Sequence, residues 1–399
     1  MQPARDLLAA ATAIQPDTVA LRRRLHRRPE VGLILPETQR TVLDALASLP
    51  LRVTEGRSVS SVTGVLAGGR PGPTVLLRGD MDALPMPEDT GLDFASEVPG
   101  AMHACGHDTH VAMLVSAARL LCERRDELPG KVVFMFQPGE EGWGGARVML
   151  DEGVLEAAGT PVDSAYALHV TTHYESGVLT VRRGPAMAAA DTLHIRVTGR
   201  GGHASNPSEA LDPIPVACAI VQAIQTMVTR EVSVFDPAVV TIAKIVAGTT
   251  DNVIPETAEM AGTMRTLSEA NRERVKDSLH RLVPAIAAAH GAEAELTISA
   301  GYPVTVNADS AADLVHSTTI GLLGPDRARL ERDPVMGAED WSYVLQRVPG
   351  AMSFLGACPP GVDPETAPAN HSNRVVFDED AMAVGVATHV ATALAALST

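Results

Sequence analysis

KVVFMFQPGEE, residues 131–141, is a continuous apolar run that ends in two adjacent carboxylates. Two other stretches have the same character: TVLLRGDMDAL at residues 74–84 and SAYALHV at residues 164–170. Between the strands at 74–84 and 131–141, apolar side chains recur at helical spacing from about residue 109. Continuous apolar strands linked by helices are typical of a mainly parallel sheet that is covered on both faces. The sequence therefore predicts an α/β domain.

The middle of the chain has a different pattern. Residues 191–199, DTLHIRVTG, alternate apolar and polar side chains, which is typical of a half-exposed strand. Patterns for a helix, two strands, a helix and a strand follow. The order β-α-β-β-α-β predicts a small ferredoxin-like sandwich with both helices on one side. We predict that this block, residues 186–301, is inserted into the α/β domain, whose two parts are 1–185 and 302–399.

Composition narrows the classes of function. The 399 residues favour two domains, and the formal net charge of −16 disfavours binding to nucleic acid or to an anionic membrane. No apolar run reaches the roughly 18 residues that span a bilayer, and LLAAATAI near the start is interpreted as helix and not as a signal peptide. The basic run RRRLHRR, residues 22–28, is interpreted as a solvated helix face. Four scattered cysteines favour a reducing, cytoplasmic setting.

Residues that commonly bind metals follow each of the three apolar strands. The acids Asp80 and Asp82 follow the first strand, the pair at 140–141 the second, and His169 ends the third. The ends of parallel strands meet at one edge of a sheet, and Cys105-Gly-His107 precedes a helix that can reach the same edge. Each residue alone has an ordinary structural explanation, such as a turn cap, a core histidine or, for Asp108, a helix N-cap. Their convergence predicts a divalent metal site.

Seven motifs occur in the order of a known family: RGDMDALPM, HACGHDTH, FQPGEEGWGGA, ALHV, GRGGHASNP, NVIPETAEMAGTMRT and GAEDWSYV. Together they resemble the amidohydrolase branch of the dinuclear metallo-aminopeptidase/aminoacylase superfamily. This branch includes N-acyl amino acid deacylases, hippurate hydrolases and plant auxin-conjugate hydrolases. The resemblance covers nearly the whole chain and implies a catalytic domain with an inserted lid and dimerisation domain. It also implies two divalent ions, whose matching ligands here are Cys105, His107, Glu141, His169 and His371.

The resemblance also implies roles outside the metal ligands. Glu140 matches the general base, and Asp82 matches an acid that steadies a ligand. His203, in GGHAS, is similar to the donor that stabilises the transition state, often in the site of a neighbouring subunit. Asn252 and Arg265 resemble residues that bind the substrate, and a guanidinium suits the free carboxylate of an amino acid.

Two positions depart from the family pattern. The loop after ALHV is TTHYESG, which contains an additional His173, and SNR follows His371 where proline is usual. We interpret His173 as a loop residue at the rim of the pocket. The run Glu339-Asp340-Trp341 either shapes the pocket or starts a helix, and the sequence leaves both open.

The expected function is metal-dependent hydrolysis of the amide bond of a small N-acyl amino acid, by a homodimer or higher homo-oligomer. A dipeptidase or carboxypeptidase of the same superfamily is the alternative substrate class. A cysteine hydrolase with Cys105 as nucleophile would leave both adjacent glutamates without a use, and a noncatalytic metal-binding protein would need only one of them for ligation. Cysteine, histidine and glutamate ligands suit zinc, while manganese, cobalt and nickel stay open.

Overall fold

The structure is a computed structural model that describes residues 2–398, with side chains from residue 6 onward. Helices and strands alternate through the first and last parts of the chain, and strands predominate in the middle. The helices are α1 Gln2–Ala13, α2 Gln15–Arg27, α3 Pro36–Leu46, α4 His107–Cys122, α5 Gly145–Asp151, α6 Pro213–Glu231, α7 Glu269–Ala289, α8 Asp309–Leu323, α9 Ser342–Leu345 and α10 Ala381–Ala396. The strands are β1 Arg52–Glu55, β2 Val62–Ala67, β3 Arg70–Asp80, β4 Pro129–Gln137, β5 Ser164–Glu175, β6 Leu179–Val181, β7 Gly184–Met187, β8 Ala189–Thr198, β9 Gly202–His203, β10 Ala238–Ala247, β11 Val253–Ile254, β12 Thr257–Thr266, β13 Glu293–Ala300, β14 Thr305–Asn307, β15 Ala328–Leu330 and β16 Gly350–Cys358.

The chain forms two compact units. The first contains the residues up to Ala186, Val306–Asp333 and the residues from Asp340 onward. The second contains Met187–Thr305 and Pro334–Glu339. The predicted division at 185/186 and 301/302 lies close to these bounds, although six residues before Asp340 also join the second unit.

An eight-stranded sheet organises the first unit, in the order β1-β2-β4-β3-β5-β16-β6-β15. Its central neighbours β4, β3, β5 and β16 pair in parallel, so the expectation of a mainly parallel α/β sheet is confirmed. Helices α4 and α10 are buried along nearly their whole length, which explains why their sequences are apolar on all sides. The register sets Asp80 beside Gln137 and Arg78 beside Ala167, so the carboxyl ends of β3, β4 and β5 meet at one edge.

The second unit contains a four-stranded antiparallel sheet in the order β10-β12-β8-β13. Along the chain its elements run β8, α6, β10, β12, α7 and β13. The Asp212 side chain accepts the Ile214 amide at the start of α6, and the Ser268 hydroxyl accepts the Asn271 amide at the start of α7. Apolar side chains of both helices and of β8, β12 and β10 form a separate core.

Among the described residues, no helix combines the length and the apolar character needed to cross a bilayer.

Candidate metal centre

Asp82 lies two residues beyond the end of β3 and is fully buried. Its two carboxylate oxygens accept the backbone amides of Glu140, at 2.9 Å, and of Glu141, at 3.0 Å. Its backbone oxygen accepts Nδ1–H of His107 at 2.8 Å. One residue therefore orients both glutamates and one imidazole, because hydrogen bonds to main-chain and ring atoms fix their directions.

The bond to Asp82 leaves Nε2 of His107 as the free nitrogen of that ring. This atom is buried and makes no hydrogen bond within the described residues, and it lies 3.3 Å from Oδ2 of Asp80 and 4.0 Å from Oε1 of Glu141. Oε1 of Glu141 is also buried and lies 3.2 Å from Nε2 of His371, without the alignment of a hydrogen bond. Buried polar atoms left without partners are costly, so this pair of atoms fits a bound cation.

Cys105 and His107 flank a sharp turn at the start of α4. Gly106 between them has φ of 89°, and a Cβ atom there would clash with Val170. Only glycine adopts this conformation without strain, and the turn directs both neighbours toward the sheet edge. The helix begins at His107 and not at Thr109 as predicted from the sequence.

His169 is brought to the site by the sheet register. It lies two residues after Ala167, which pairs with Arg78 of β3. Its Nδ1–H donates to the Val170 oxygen at 2.7 Å, and its Nε2 lies 3.4 Å from Sγ of Cys105. The prediction that His169 ends its strand is wrong, because β5 continues to Glu175. His173 lies in this continuation and not in a loop, and its side chain is exposed.

His371 has an unusual backbone conformation. Its φ of 69° makes it the one non-glycine residue with positive φ in the described chain, a state that costs on the order of 1–3 kcal/mol. Its amide donates to the Ala104 oxygen at 2.9 Å. The side chain of the preceding Asn370 donates to the oxygens of Cys105 and Val170, at 3.1 and 3.0 Å. These bonds hold His371 beside the thiol turn, and sequence reasoning did not identify Asn370.

The five predicted ligands fall into two groups that share the thiol. In the first group, ligand atoms of Cys105, His107 and His169 lie within 4.8 Å of one another. In the second, those of Cys105, Glu141 and His371 do. A thiolate can bind two ions at once, so a pair of groups joined at one sulfur fits two divalent cations with nitrogen, sulfur and oxygen ligands. Glu140, with His107 and Glu141, forms a third such group.

Protonation in the site is set by burial and by close neighbours. Burial, reinforced by His110, lowers the pKa of His169 well below its ordinary value, which keeps the ring neutral as metal binding requires. Burial raises the pKa of the Cys105 thiol, and the neighbouring Glu141 raises it further. Burial alone would lower the pKa of His107, but Asp80 and Cys105 hold it well above its usual range.

A buried polar network lies directly behind the predicted ligands and was missed from the sequence. His110 donates from Nδ1 to Asp80 at 2.6 Å and accepts the Val170 amide at Nε2 at 2.8 Å. Arg78 contacts the other oxygen of Asp80 and also lies 3.4 Å from Asp340. The signal was present in HACGHDTH, because His107 and His110 are three residues apart and face the same way on a helix.

Asp340 belongs to the run 339–341, for which the sequence left open a role in shaping the pocket or in starting a helix. It is fully buried and accepts hydrogen bonds from the Gln137 side chain at 2.7 and 2.9 Å and from the Ala146 amide at 2.8 Å. The short helix α9 begins after it, at Ser342, with Trp341 as the N-cap residue. Asp340 therefore ties β4 to α5.

Two arginines of the basic run at residues 22–28 are exposed, as expected of a solvated face, but the run is not solvated throughout. Arg22 and His26 are 1% and 2% exposed, and both contact one oxygen of Asp108 at 2.8 Å. The Asp108 carboxylate compensates for the burial of these charges. Because it is more than 80 residues away in the chain, the sequence did not identify it as their partner. Asp108 is correspondingly not a helix cap, since Gly106 holds that position.

The remaining predicted residues belong to the second unit. His203 is exposed on the ribbon formed by β9 and β11, where it pairs with Val253. The oxygen of Asn252 accepts the Ala204 amide at 3.1 Å, so His203 and Asn252 are neighbours. Arg265 lies elsewhere, on β12 opposite Ala190, with its guanidinium bonded to its own strand at the Met264 oxygen.

Comparison with known proteins identifies the family. The sequence model of peptidase family M20/M25/M40 matches residues 76–395. The chain belongs to this peptidase family. A thermostable carboxypeptidase of Saccharolobus solfataricus is 40% identical over 375 residues, which are 93% of each chain. The N-acetylcysteine deacetylase of Bacillus subtilis is 38% identical over 341 residues, 85% of this chain and 87% of that protein.

A solved structure is similar over nearly the whole chain. A dinuclear metal-binding peptidase of the M20 family from Bacillus subtilis is 31% identical, with a TM-score of 0.83 over 97% of this chain and 99% of its own. The resemblance inferred from the motifs is confirmed, and the M20 chain described here is a metal-dependent amidohydrolase. Two divalent ions are supported by the family and by this neighbour.

Proposed function

We propose that this M20 chain hydrolyses the amide bond of N-acyl amino acids. The observation that carries the proposal is the pair of ligand groups joined at Cys105 with Glu140 directly beside them. Relatives that are named N-acetylcysteine deacetylase and N-acyl-L-amino acid amidohydrolase, each 38% identical, support this substrate class.

Two divalent ions would be held by the five residues of the two groups, namely Cys105, His107, Glu141, His169 and His371. When bound, such a pair acidifies a water molecule and polarises the carbonyl of the scissile amide. Zinc is the ion we propose first, because thiolate and imidazole suit it, with manganese, cobalt and nickel as alternatives.

Glu140 is proposed as the general base. Its carboxylate is 5% exposed and its amide is fixed by Asp82, so its position relative to Glu141 is defined. Glu140 takes a proton from the attacking water and passes it to the nitrogen of the leaving amine. Asp82 acts through the groups that it orients.

The residues of the second unit are proposed to bind the substrate. Arg265 holds the free carboxylate, and His203 with Asn252 donates to the developing oxyanion. Along β12, Thr257 and Arg265 are eight residues apart, or about 26 Å at roughly 3.3 Å per residue, and Asn252 lies beyond Thr257. One small substrate cannot span that distance, which supports a site completed by a second copy of the chain. We therefore propose a homodimer in which the second unit serves as the lid and dimerisation domain.

A carboxypeptidase is the second candidate, because the relatives named thermostable carboxypeptidase are 40% identical over more than nine tenths of this chain. Both candidate substrates carry a free carboxylate beside the scissile amide, so the proposed role of Arg265 is common to them. They differ only in the acyl side, which is a simple acid in one and an aminoacyl group in the other.

A substrate panel with matched variants tests the proposal. N-acetyl, N-benzoyl and long-chain acyl amino acids are compared with blocked dipeptides, after chelation and with each metal restored. We expect hydrolysis that chelation abolishes and divalent metal restores. Glu140→Gln should lower kcat by at least about 100-fold with metal content near normal, whereas Cys105→Ala should lower metal content. Full activity in metal-free protein, or equal metal loss in both variants, would contradict the assignment.

A further inference from the structure

The buried charges of α2 have no role in the proposed chemistry, yet they contact the segments that carry predicted ligands. The set consists of three cationic residues of α2 and three carboxylates from elsewhere, and we refer to it as the α2 ion cluster. Its members are Arg22, Arg23, His26, Glu88, Asp108 and Glu379.

Arg22 joins two distant segments through one side chain. Its Nε contacts Oδ2 of Asp108 at 2.8 Å, and its Nη1 contacts Oε1 of Glu379 at 2.8 Å. Asp108 follows His107 in the first turn of α4, and Glu379 lies between His371 and α10. Because the guanidinium is planar and rigid, both carboxylates are fixed relative to one another.

The segment from Asn370 to Glu379 is held at both ends. At its start, Asn370 and the His371 amide bond the chain around Cys105. At its end, Glu379 receives Arg22 at 2.8 Å and Arg23 at 2.6 Å. His371 has a positive φ that an unrestrained chain would leave, so anchors on both sides are what keep its ring beside Glu141.

His26 extends the cluster to a third segment. Its Nδ1 lies 2.8 Å from Asp108 and its Nε2 lies 3.3 Å from Glu88, in the long connection between β3 and α4. The next residue of that connection, Asp89, donates its amide to the Asn373 oxygen and pairs with Arg374 at 2.8 Å. The connection therefore contacts both α2 and the segment that follows His371.

We propose that the α2 ion cluster is a positioning device for the metal centre, with Arg22 as its central residue. By holding Asp108 and Glu379 together, Arg22 sets the separation between His107 and His371. The two predicted metal groups contain one of these histidines each, so the separation determines whether both groups can be filled together. This inference rests on the ligand set of the proposed function.

Cobalt binding provides a readout that does not depend on turnover. The affinity of metal-free protein for Co²⁺ is measured by competition with a chromophoric chelator, and the thiolate-to-cobalt absorption band reports the geometry at the sulfur. Arg22→Met keeps an unbranched stem and removes the guanidinium with both of its ion pairs. We expect the affinity for at least one Co²⁺ to fall by about 10–100-fold and the band to change, as for other residues that orient ligands. Arg22→Lys, which keeps the charge but lacks the planar guanidinium that contacts both carboxylates, should lie between Met and wild type.

Two control variants separate positioning from general destabilisation. Arg23→Met removes a contact to Glu379 but none to Asp108. It should change the affinity for Co²⁺ by less than about 3-fold from wild type, which is smaller than the effect expected for a residue that orients a ligand. Arg272→Met removes a buried arginine–carboxylate pair in the second unit, where Arg272 contacts Asp191 at 2.8 Å through two nitrogens. It should leave Co²⁺ affinity unchanged while lowering stability.

The outcomes distinguish this inference from the function on which it rests. If Cys105→Ala retains the thiolate band, the ligand set is wrong and the positioning role falls with it. If Cys105→Ala loses the band but Arg22→Met binds Co²⁺ like wild type or like Arg272→Met, only the positioning role is overturned. Should Arg22→Met fail to fold, Glu379→Ala takes its place, because it removes the ion pair of Arg22 on the His371 side, and an unchanged affinity in a folded Glu379→Ala protein overturns the inference equally.

Discussion

The protonation of His26 makes the stability of the first unit depend on pH in a direction that can be calculated. Both ring nitrogens of His26 face carboxylates, Asp108 and Glu88, while Arg22 contacts the same oxygen of Asp108 and the centroid of the tilted His103 ring lies 6.2 Å away. Burial alone would lower the pKa of His26, but Asp108 and Glu88 outweigh burial and raise it to about 9. The ring is therefore charged in the folded protein at neutral pH.

The sign and the magnitude follow from linkage. The pKa of His26 rises from 6.5 in the unfolded chain to about 9, so its contribution is complete below pH 6.5 and is lost as the pH rises through 9. At about 1.4 kcal/mol for each unit of pKa, the charged ring contributes about 3 kcal/mol to the free energy of unfolding. Glu88, whose carboxyl pKa is lowered to about 2 against the opposing effect of burial, keeps its charge throughout this range.

The measurement is urea unfolding of metal-free wild type and His26→Gln at pH 6.0 and 9.5. Both tryptophans of the chain, Trp143 and Trp341, lie in the same unit as His26, so their fluorescence reports the unfolding of that unit. We expect wild type to exceed the variant by about 3 kcal/mol more at pH 6.0 than at pH 9.5. The comparison with the variant removes the contributions of other titrating groups. A difference that stays constant with pH refutes the charged state of His26.

Three other changes test separate parts of the molecule. Arg265→Met should erase the preference for an N-acyl amino acid over its amide, because the guanidinium is the proposed carboxylate clamp, and an unchanged ratio of kcat/KM for the two substrates would rule this role out. Mixed dimers of inactive His203→Ala and inactive Glu140→Gln chains should recover partial activity if two chains share a site, whereas verified mixed dimers without activity would show that they do not. Gly106→Ala should lower the free energy of unfolding by more than about 1 kcal/mol, since φ is 89° and β5 lies against it. Gly100→Ala, at φ of 79° with open space around it, is the matched control and should cost less in the same urea experiment.

The sequence determined the type of fold and the residue types of the site. Apolar runs that end in polar residues of the kind that bind metals are typical of buried strands, so β3, β4 and β5 and their common edge followed from local pattern. The order of elements in the middle block followed in the same way, because alternation of period two and helical spacing are properties of neighbouring residues. The pairing of Cys105 with His107 was readable for the same reason.

The tertiary structure alone decided which charged residues are buried and which functional residues meet. Arg22 and His26 have the composition of a solvated face, and their burial depends on Asp108, more than 80 residues away in the chain. Asn252 and Arg265 are close in sequence, but Asn252 precedes the start of β12 whereas Arg265 lies near its end, and an extended strand separates what a helix would keep near. Local sequence pattern reports the periodicity of a segment, whereas the cost of burying a charge depends on a partner that only the folded chain supplies.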